Sequence, residues 1–275
     1  MTEYANKIGV KIKPARFRYS TSKYTFDKAT NIIYKGVASI KNLNHEVAEQ
    51  LYALRNNKYS NFYELMLDIK NKVNIRSDQL DILIKLDYFE EFGKSKKLLE
   101  YVKYFNQLYK SKVVSKGKFN DKIENIIKTY SRETKSQYRD LDNRKILLEI
   151  WNKIPNEDLP IHKKIMAEKE YLGYVGYINP KLDKRYVVVM DLNTRYSPRF
   201  TAYCLNNGKT EELKVYRKRG KARKDIVYYE DIPFEEGDIL YCKEFKCKPK
   251  SRKTENGWED VPNSREWWLT SYSKV

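Results

Sequence analysis

The chain has 275 residues, room for two compact domains, and its 55 Lys and Arg outnumber 37 Asp and Glu to leave a formal charge of +18. That excess points to a polyanionic partner, of which nucleic acid is the commonest. Aromatic residues at 14%, with only 10 Gly and 8 Pro, exclude a disordered or collagen-like chain. Cys204, Cys242 and Cys247 are too few for a disulfide framework and fit a reducing, cytoplasmic setting. With His45 and His162 as the only histidines, no metal-ligand spacing appears, and neither a metal nor another cofactor is expected. The start, MTEYANKIGVKIK, lacks the apolar core of a signal peptide, and no apolar run approaches the ~20 residues that cross a bilayer, so no membrane partner is expected.

In chain order, residues 1–35 form a basic lead-in; through residue 41, nine Lys and Arg face only Glu3 and Asp27. Pro14 interrupts the pattern between two short β-rich runs, GVKIK (9–13) and NIIYKGV (31–37), so the segment is predicted to be irregular, with little core of its own. A helical domain is predicted over 36–170. Its first helix carries Val47, Ala48, Leu51 and Leu54 at helical spacing behind an Asn44 cap, with Glu46 in the first turn. A second helix begins after Ser60 or Asn61, with Phe62, Leu65, Met66 and Ile69 inward, and a third begins at Ser77 with Leu80, Leu83 and Ile84 inward, each start having a capping side chain. Helical patterns continue over 96–110, 119–130, 143–152 and 158–171, broken by a glycine-containing turn at SKVVSKGKF and by Pro155 and Pro160.

From 171 to 275 the period becomes two. Strands are predicted at 172–178, 185–192, 199–205, 212–218, 238–246 and 267–272, separated by the turn-forming NNGK and EEGD. Five or six short strands in about a hundred residues suggest a small antiparallel barrel of the oligonucleotide-binding (OB) type, so the whole reads as α+β. Trp267 and Trp268 must point to opposite faces of a regular strand, which makes one of them core. Two basic stretches stand out, RKRGKARK (217–224) and KEFKCKPKSRK (243–253).

No Gly-rich phosphate loop, Gly-x-Ser-x-Gly elbow or metal-ligand cluster is present, and Asp140-Leu-Asp142 sits in a charged stretch that reads as a solvated helix start. A non-catalytic chain is expected. The strongest signal is GVASIKNLNHEVAEQLYALR (36–55), laid out as a helix-hairpin-helix: a short helix or turn, a polar hairpin at Lys41 to Asn44, then a longer helix whose N-terminal amides suit a DNA phosphate. Hairpins of this kind usually use glycine to reach positive φ; here Asn42 and Asn44 stand in those places. Lys41, Asn42, Asn44 and Arg76 are therefore the candidate duplex contacts. In the barrel, Arg217, Lys218, Arg219, Lys221, Arg223 and Lys224 would follow a single-stranded backbone, with Tyr174, Tyr186, Tyr203 and Tyr241 as candidate stacking rings.

The runs GVKIKPA, IIYKGVASIKNLN, VNIRSDQLDILIKLDYFEEFG (73–93) and AEKEYLGYV (167–175) resemble the region C-terminal to the fingers in bacterial replicative DNA polymerase III alpha subunits, the C family. The resemblance covers about residues 5–175 by motif and implies a tandem helix-hairpin-helix domain leading into an OB barrel, with DNA as ligand. The catalytic palm with its three magnesium-binding aspartates and the PHP domain lie upstream of this region in the family, and this sequence contains neither. The family's glycine-rich hairpin is replaced by KNLN, its Gly-His-Pro by Gly176-Tyr177-Ile178-Asn179-Pro180, and Gln137-Tyr-Arg-Asp-Leu is no clamp-binding peptide. The MTEYANKIGV start just before the GVKIKP block suggests a separate or truncated reading frame. The expected function is gripping of duplex and single-stranded template in DNA replication. The alternatives are an interaction scaffold for a separately encoded polymerase body or other replisome protein, and an RNA-binding protein.

Overall fold

The computed structural model describes residues 9–195, 198–216, 232–255 and 257–275. Two compact units divide the chain, Met1–Pro160 with Glu170–Leu172, and Ile161–Lys169 with Gly173–Val275.

In the first unit the lead-in is not irregular. It holds three short strands, β1 (Lys11–Lys13), β2 (Thr25–Asp27) and β3 (Ile32–Tyr34), with β3 central, parallel to β1 and antiparallel to β2. Nor does it lack a core: Phe17, Ile32, Tyr34 and Val37 are buried, and the Phe17 ring lies 5.7 Å from Phe89 and 6.1 Å from Phe92. Its two arginines are engaged as well. Arg16 pairs with Glu90 at 2.6 Å, and Arg18 holds Glu91 while donating to the carbonyls of Arg55 and Asn57. The sequence showed charge and breakers here because the apolar partners of these residues lie far along the chain.

The helices follow the apolar period closely. They are α1 (His45–Ala53), α2 (Phe62–Lys72), α3 (Ser77–Lys85), α4 (Ser95–Leu108), α5 (Asp121–Thr129) and α6 (Asn143–Lys153). Asn44, Asn61, Asn120 and Asp142 each accept a first-turn amide of the helix they precede, satisfying a donor that has no partner within the helix. Ser77 departs from expectation. It is the first residue of α3 rather than its cap, and the Arg76 amide at the cap position donates to Gln79 Oε1. A second small sheet, β4 (Val113–Ser115), β5 (Arg132–Glu133) and β6 (Gln137–Arg139), occupies part of the expected SKVVSKGKF turn and the segment after α5. Strands of two and three residues are too short to express a period.

In the second unit, α7 (Ile161–Leu172) is followed by irregular chain, so the strand expected at 172–178 does not form. The strands are β7 (Tyr186–Asn193), β8 (Arg199–Cys204), β9 (Thr210–Val215), β10 (Ile239–Thr254) and β11 (Gly257–Lys274). Pairing runs β7-β8-β9-β11-β10 and back to β7, which closes the sheet, and β9 with β11 is its parallel pair. Val187, Val189, Phe200, Ala202, Leu213, Leu240 and Leu269 fill the inside, while Val188, Met190, Tyr203 and Leu205 pack on the other face with Ile165 of α7. With both faces of β7 covered, its Val-Val-Val-Met run is buried throughout. β10 and β11 run well past the strands expected at 238–246 and 267–272, pairing with each other out to Thr254 and Gly257 as a two-stranded ribbon.

Candidate nucleic-acid interface

The hairpin at 40–44 is held from three sides. Before it, a 3-10 turn spans Val37–Ser39, led by Gly36, where a Cβ would meet the Ser22 carbonyl oxygen at 2.3 Å; only glycine lets the two backbones approach so closely. The Leu43 amide then donates to Ile40 O at 3.1 Å, closing a turn in which Asn42 has φ of +70°. Asparagine tolerates that conformation best after glycine, so the first substitution expected from the sequence holds. The second does not. Asn44 is extended, at φ −124°, and its Oδ1 accepts the Val47 amide at 2.9 Å; it is a helix cap rather than a glycine surrogate.

Lys41, Asn42 and Asn44 are exposed while Leu43 is buried beneath them. The Lys41 amide donates to Tyr171 O, but the amides of Asn42, His45 and Glu46 find no acceptor among the described residues. Those N–H groups, at the positive end of the α1 dipole and next in sequence to the exposed Lys41, make an exposed corner suited to an anion. Gln79 sets its position. This side chain is 4% exposed, donates through Nε2 to Asn42 O at 2.8 Å and accepts the Arg76 amide on Oε1 at 3.1 Å. The backbone of Arg76 is thereby tied to the hairpin although 34 positions separate Arg76 from Asn42 in sequence. The exposed Arg76 guanidinium makes two 3.0 Å bonds to Asp78, a pair with which a phosphate would compete. Gln79 carried a sequence signal only as the third helical residue of a capping pattern; its tertiary partner was invisible.

A second turn, between α3 and α4, carries Gly93 and Lys94 and leads into Lys96 and Lys97 in the first turn of α4. Two of its amides have distant acceptors, while those of Gly93, Ser95 and Lys96 find none among the described residues. Lys94 N–H donates to Asn156 Oδ1 at 2.9 Å and Lys97 N–H to Glu157 O at 3.3 Å, while the buried Ser95 hydroxyl lies 2.7 Å from Asp87 and 2.8 Å from Asp158 carboxylate oxygens. Lys96 pairs with Glu157 at 2.6 Å, and the Lys97 ammonium sits 4.0 Å from the centre of the Trp151 ring.

Residues 9–99 match the model of a helix-hairpin-helix motif family. The match takes in the lead-in sheet, the 40–44 hairpin and the second turn, and it supports nucleic-acid binding by this helix-hairpin-helix region. No curated protein matches the chain.

Elsewhere the sequence candidates disperse. Tyr203 is a core residue, 3% exposed, with its hydroxyl donated to Tyr177 O at 2.6 Å and burial pushing its pKa up to about 12; it presents no ring face to a base. Tyr174 is exposed but lies in the irregular segment after α7. Tyr186 and Tyr241 are cross-strand neighbours, centroids 4.9 Å apart, with the Arg185 guanidinium 4.7 Å from the Tyr241 ring. Arg217, Lys218, Arg219, Lys221, Arg223 and Lys224 lie outside the described residues. Trp267 and Trp268 do point to opposite faces, but neither is core: Trp267 is 45% exposed, and half-buried Trp268 donates to Glu266 beneath the ammonium groups of Lys214 and Lys248. The core residue of that strand is Leu269.

Asp142 caps α6 and pairs with Lys145, and Asp140 pairs with Arg132 at 2.8 Å. Among the described residues no group of His, Cys, Asp and Glu is arranged to hold a metal, and no helix is long and apolar enough to cross a membrane.

Proposed function

We propose that the chain is a non-catalytic DNA-binding module of replication, working in the cytoplasm like the polymerase III alpha region its motifs resemble. The helix-hairpin-helix region grips template duplex, and the closed sheet guides a single strand toward a polymerase active site supplied by other residues. The observation that carries this reading is the anion-binding corner, where a positive-φ Asn42, an exposed Lys41 and unpaired first-turn amides of α1 meet. The order β7-β8-β9-β11-β10 with one parallel pair supports an OB-type barrel for the second unit. Engagement of Asp140 and Asp142 in an ion pair and a helix cap supports a role without metal-dependent transfer.

The test is duplex affinity of the full chain. Asn42→Gly should preserve or raise it and Asn42→Val should lower it, because a β-branched residue strains at positive φ. Equal affinity for all three folded proteins would reduce the hairpin to a packing unit. Competition by unlabelled RNA separates the RNA-binding alternative, and a folded chain that binds no nucleic acid at low salt leaves the scaffold for a polymerase body or replisome protein as the better reading.

A further inference from the structure

At one end of the closed sheet the interior is open. A cavity of about 380 Å³ reaches in to Val187, Ala202 and Leu213, residues that otherwise belong to the inner core, and its lip carries Phe245 and Trp267. Both rings are exposed, 40% and 45% respectively, although Phe245 pairs with the fully buried Leu269 and Trp267 with Leu213. The inward side of the strands thus continues past the packed core and ends in two aromatic faces turned to solvent. Large rings left open at the mouth of a barrel mark a ligand site more often than a packing fault.

The charge around the cup narrows the ligand. Lys184 and Lys209 stand on its wall with Glu211 as the one acid, and neither ammonium pairs with a carboxylate among the described residues. From the same lip β10 leads away through Lys246, Lys248 and Lys250, all exposed, which places the KEFKCKPKSRK stretch on an open ribbon. Stacking faces beside unneutralised cations suit a flat, anionic polymer: a base has a π-face for the ring, and its phosphates meet the lysines. An acidic peptide would use the cations and leave the rings idle, and an apolar small molecule would do the reverse.

We propose that this cup binds an unpaired stretch of nucleic acid, a base lying against Trp267 and Phe245 and the flanking phosphates held by Lys184 and Lys209. The inference rests on the nucleic-acid reading above and moves the stacking site from the tyrosines to these two rings.

The experiment titrates full-length protein and variants with labelled oligothymidylate over a range of salt, with a labelled duplex in parallel. Trp267→Ala should weaken single-strand binding about tenfold with an unchanged salt slope, since stacking of one base is largely independent of salt. Trp267→Phe should restore most of the loss. Changing Lys184 and Lys209 together to Gln should flatten the slope of log affinity against log salt by about 1.4, two phosphates at about 0.7 each. Neither change should alter duplex binding. Unchanged single-strand affinity in both variants, with an unchanged thermal melt, overturns the site. So does a protein that binds duplex in an Asn42-dependent way but no single strand, an outcome that leaves the hairpin reading standing. Trp267-dependent single-strand binding without duplex binding would instead support this site and sink the hairpin. Binding of neither ends both.

Discussion

At residues 40–44 the turn has no glycine and exposes Lys41 and Asn42, and its helix is capped by its own Asn44, whereas the turn between α3 and α4 has Gly93 and three nearby lysines and has its Lys94 and Lys97 amides accepted by a distant segment. That segment, around Asn156, Glu157 and Asp158 and some 60 residues away, supplies an amide oxygen to Lys94 N–H, a carbonyl to Lys97 N–H and a carboxylate to the Ser95 hydroxyl. The second turn is also anchored by rings: Tyr88 and Phe89 are buried against Phe17 and Phe62, while the first turn buries the aliphatic Ile40 and Leu43. The same supersecondary unit is thus largely exposed in one place and bound to a distant segment in the other. What separates them is how much of the turn other parts of the chain engage, not how many glycines and lysines the turn contains.

The largest test of this contrast is Phe89→Ala. Removing a fully buried ring from the joint should cost about 3–5 kcal/mol in urea unfolding. A loss near 1 kcal/mol would show that the second turn is not a joint of the core. Next is Gln79→Ala, which strands Asn42 O and the Arg76 amide. It should cost about 1–3 kcal/mol, and it should also weaken duplex binding because the first turn loses its tether. A destabilised protein with unchanged duplex affinity would separate Gln79 from the interface.

The two side-chain acceptors at these helix starts give the sharpest comparison. Asn44→Ala and Asn156→Ala each remove a side-chain acceptor from the start of a helix, and each should cost about 1 kcal/mol. Only Asn44→Ala should also lower duplex affinity; if Asn156→Ala lowers it as much, the two turns are not functionally distinct. The smallest effect is that of Asn42→Gly. Its stability should stay within about 1 kcal/mol of the parent, since glycine relieves the left-handed conformation while gaining freedom in the unfolded chain. A larger loss would mean that the Asn42 side chain supports the turn beyond its tolerance of positive φ.

Much of the first unit was legible in advance, and for a definite reason. The helical faces through Val47, Leu51, Phe62, Leu65, Leu80 and Leu83 obey the 3.6-residue period, and the Asn caps at 44 and 61 use side chains that bond within three residues; both signals are local. The first turn's exposure could be read because its polar run is short and adjoins a capped helix. The lead-in could not, because Phe17, Arg16 and Arg18 find their partners at Phe89, Glu90 and Glu91. The alternation of β7 through β11 locates five strands, but a period of two leaves the choice of faces open, so the sequence pattern does not distinguish the buried Tyr203 from the exposed Phe245.

By itself the sequence determined what depends on neighbours a few residues apart: which segments coil, where helices start, where the period changes from helix to strand, and that a polyanion is the favoured partner at a charge of +18. Only tertiary structure decided which turn is bound to a distant segment, which cations are paired, and which aromatic rings reach solvent. Each of those depends on whether a group distant in the chain arrives to satisfy a donor, neutralise a charge or cover a ring, and that encounter is set by the packing of whole elements rather than by any local pattern.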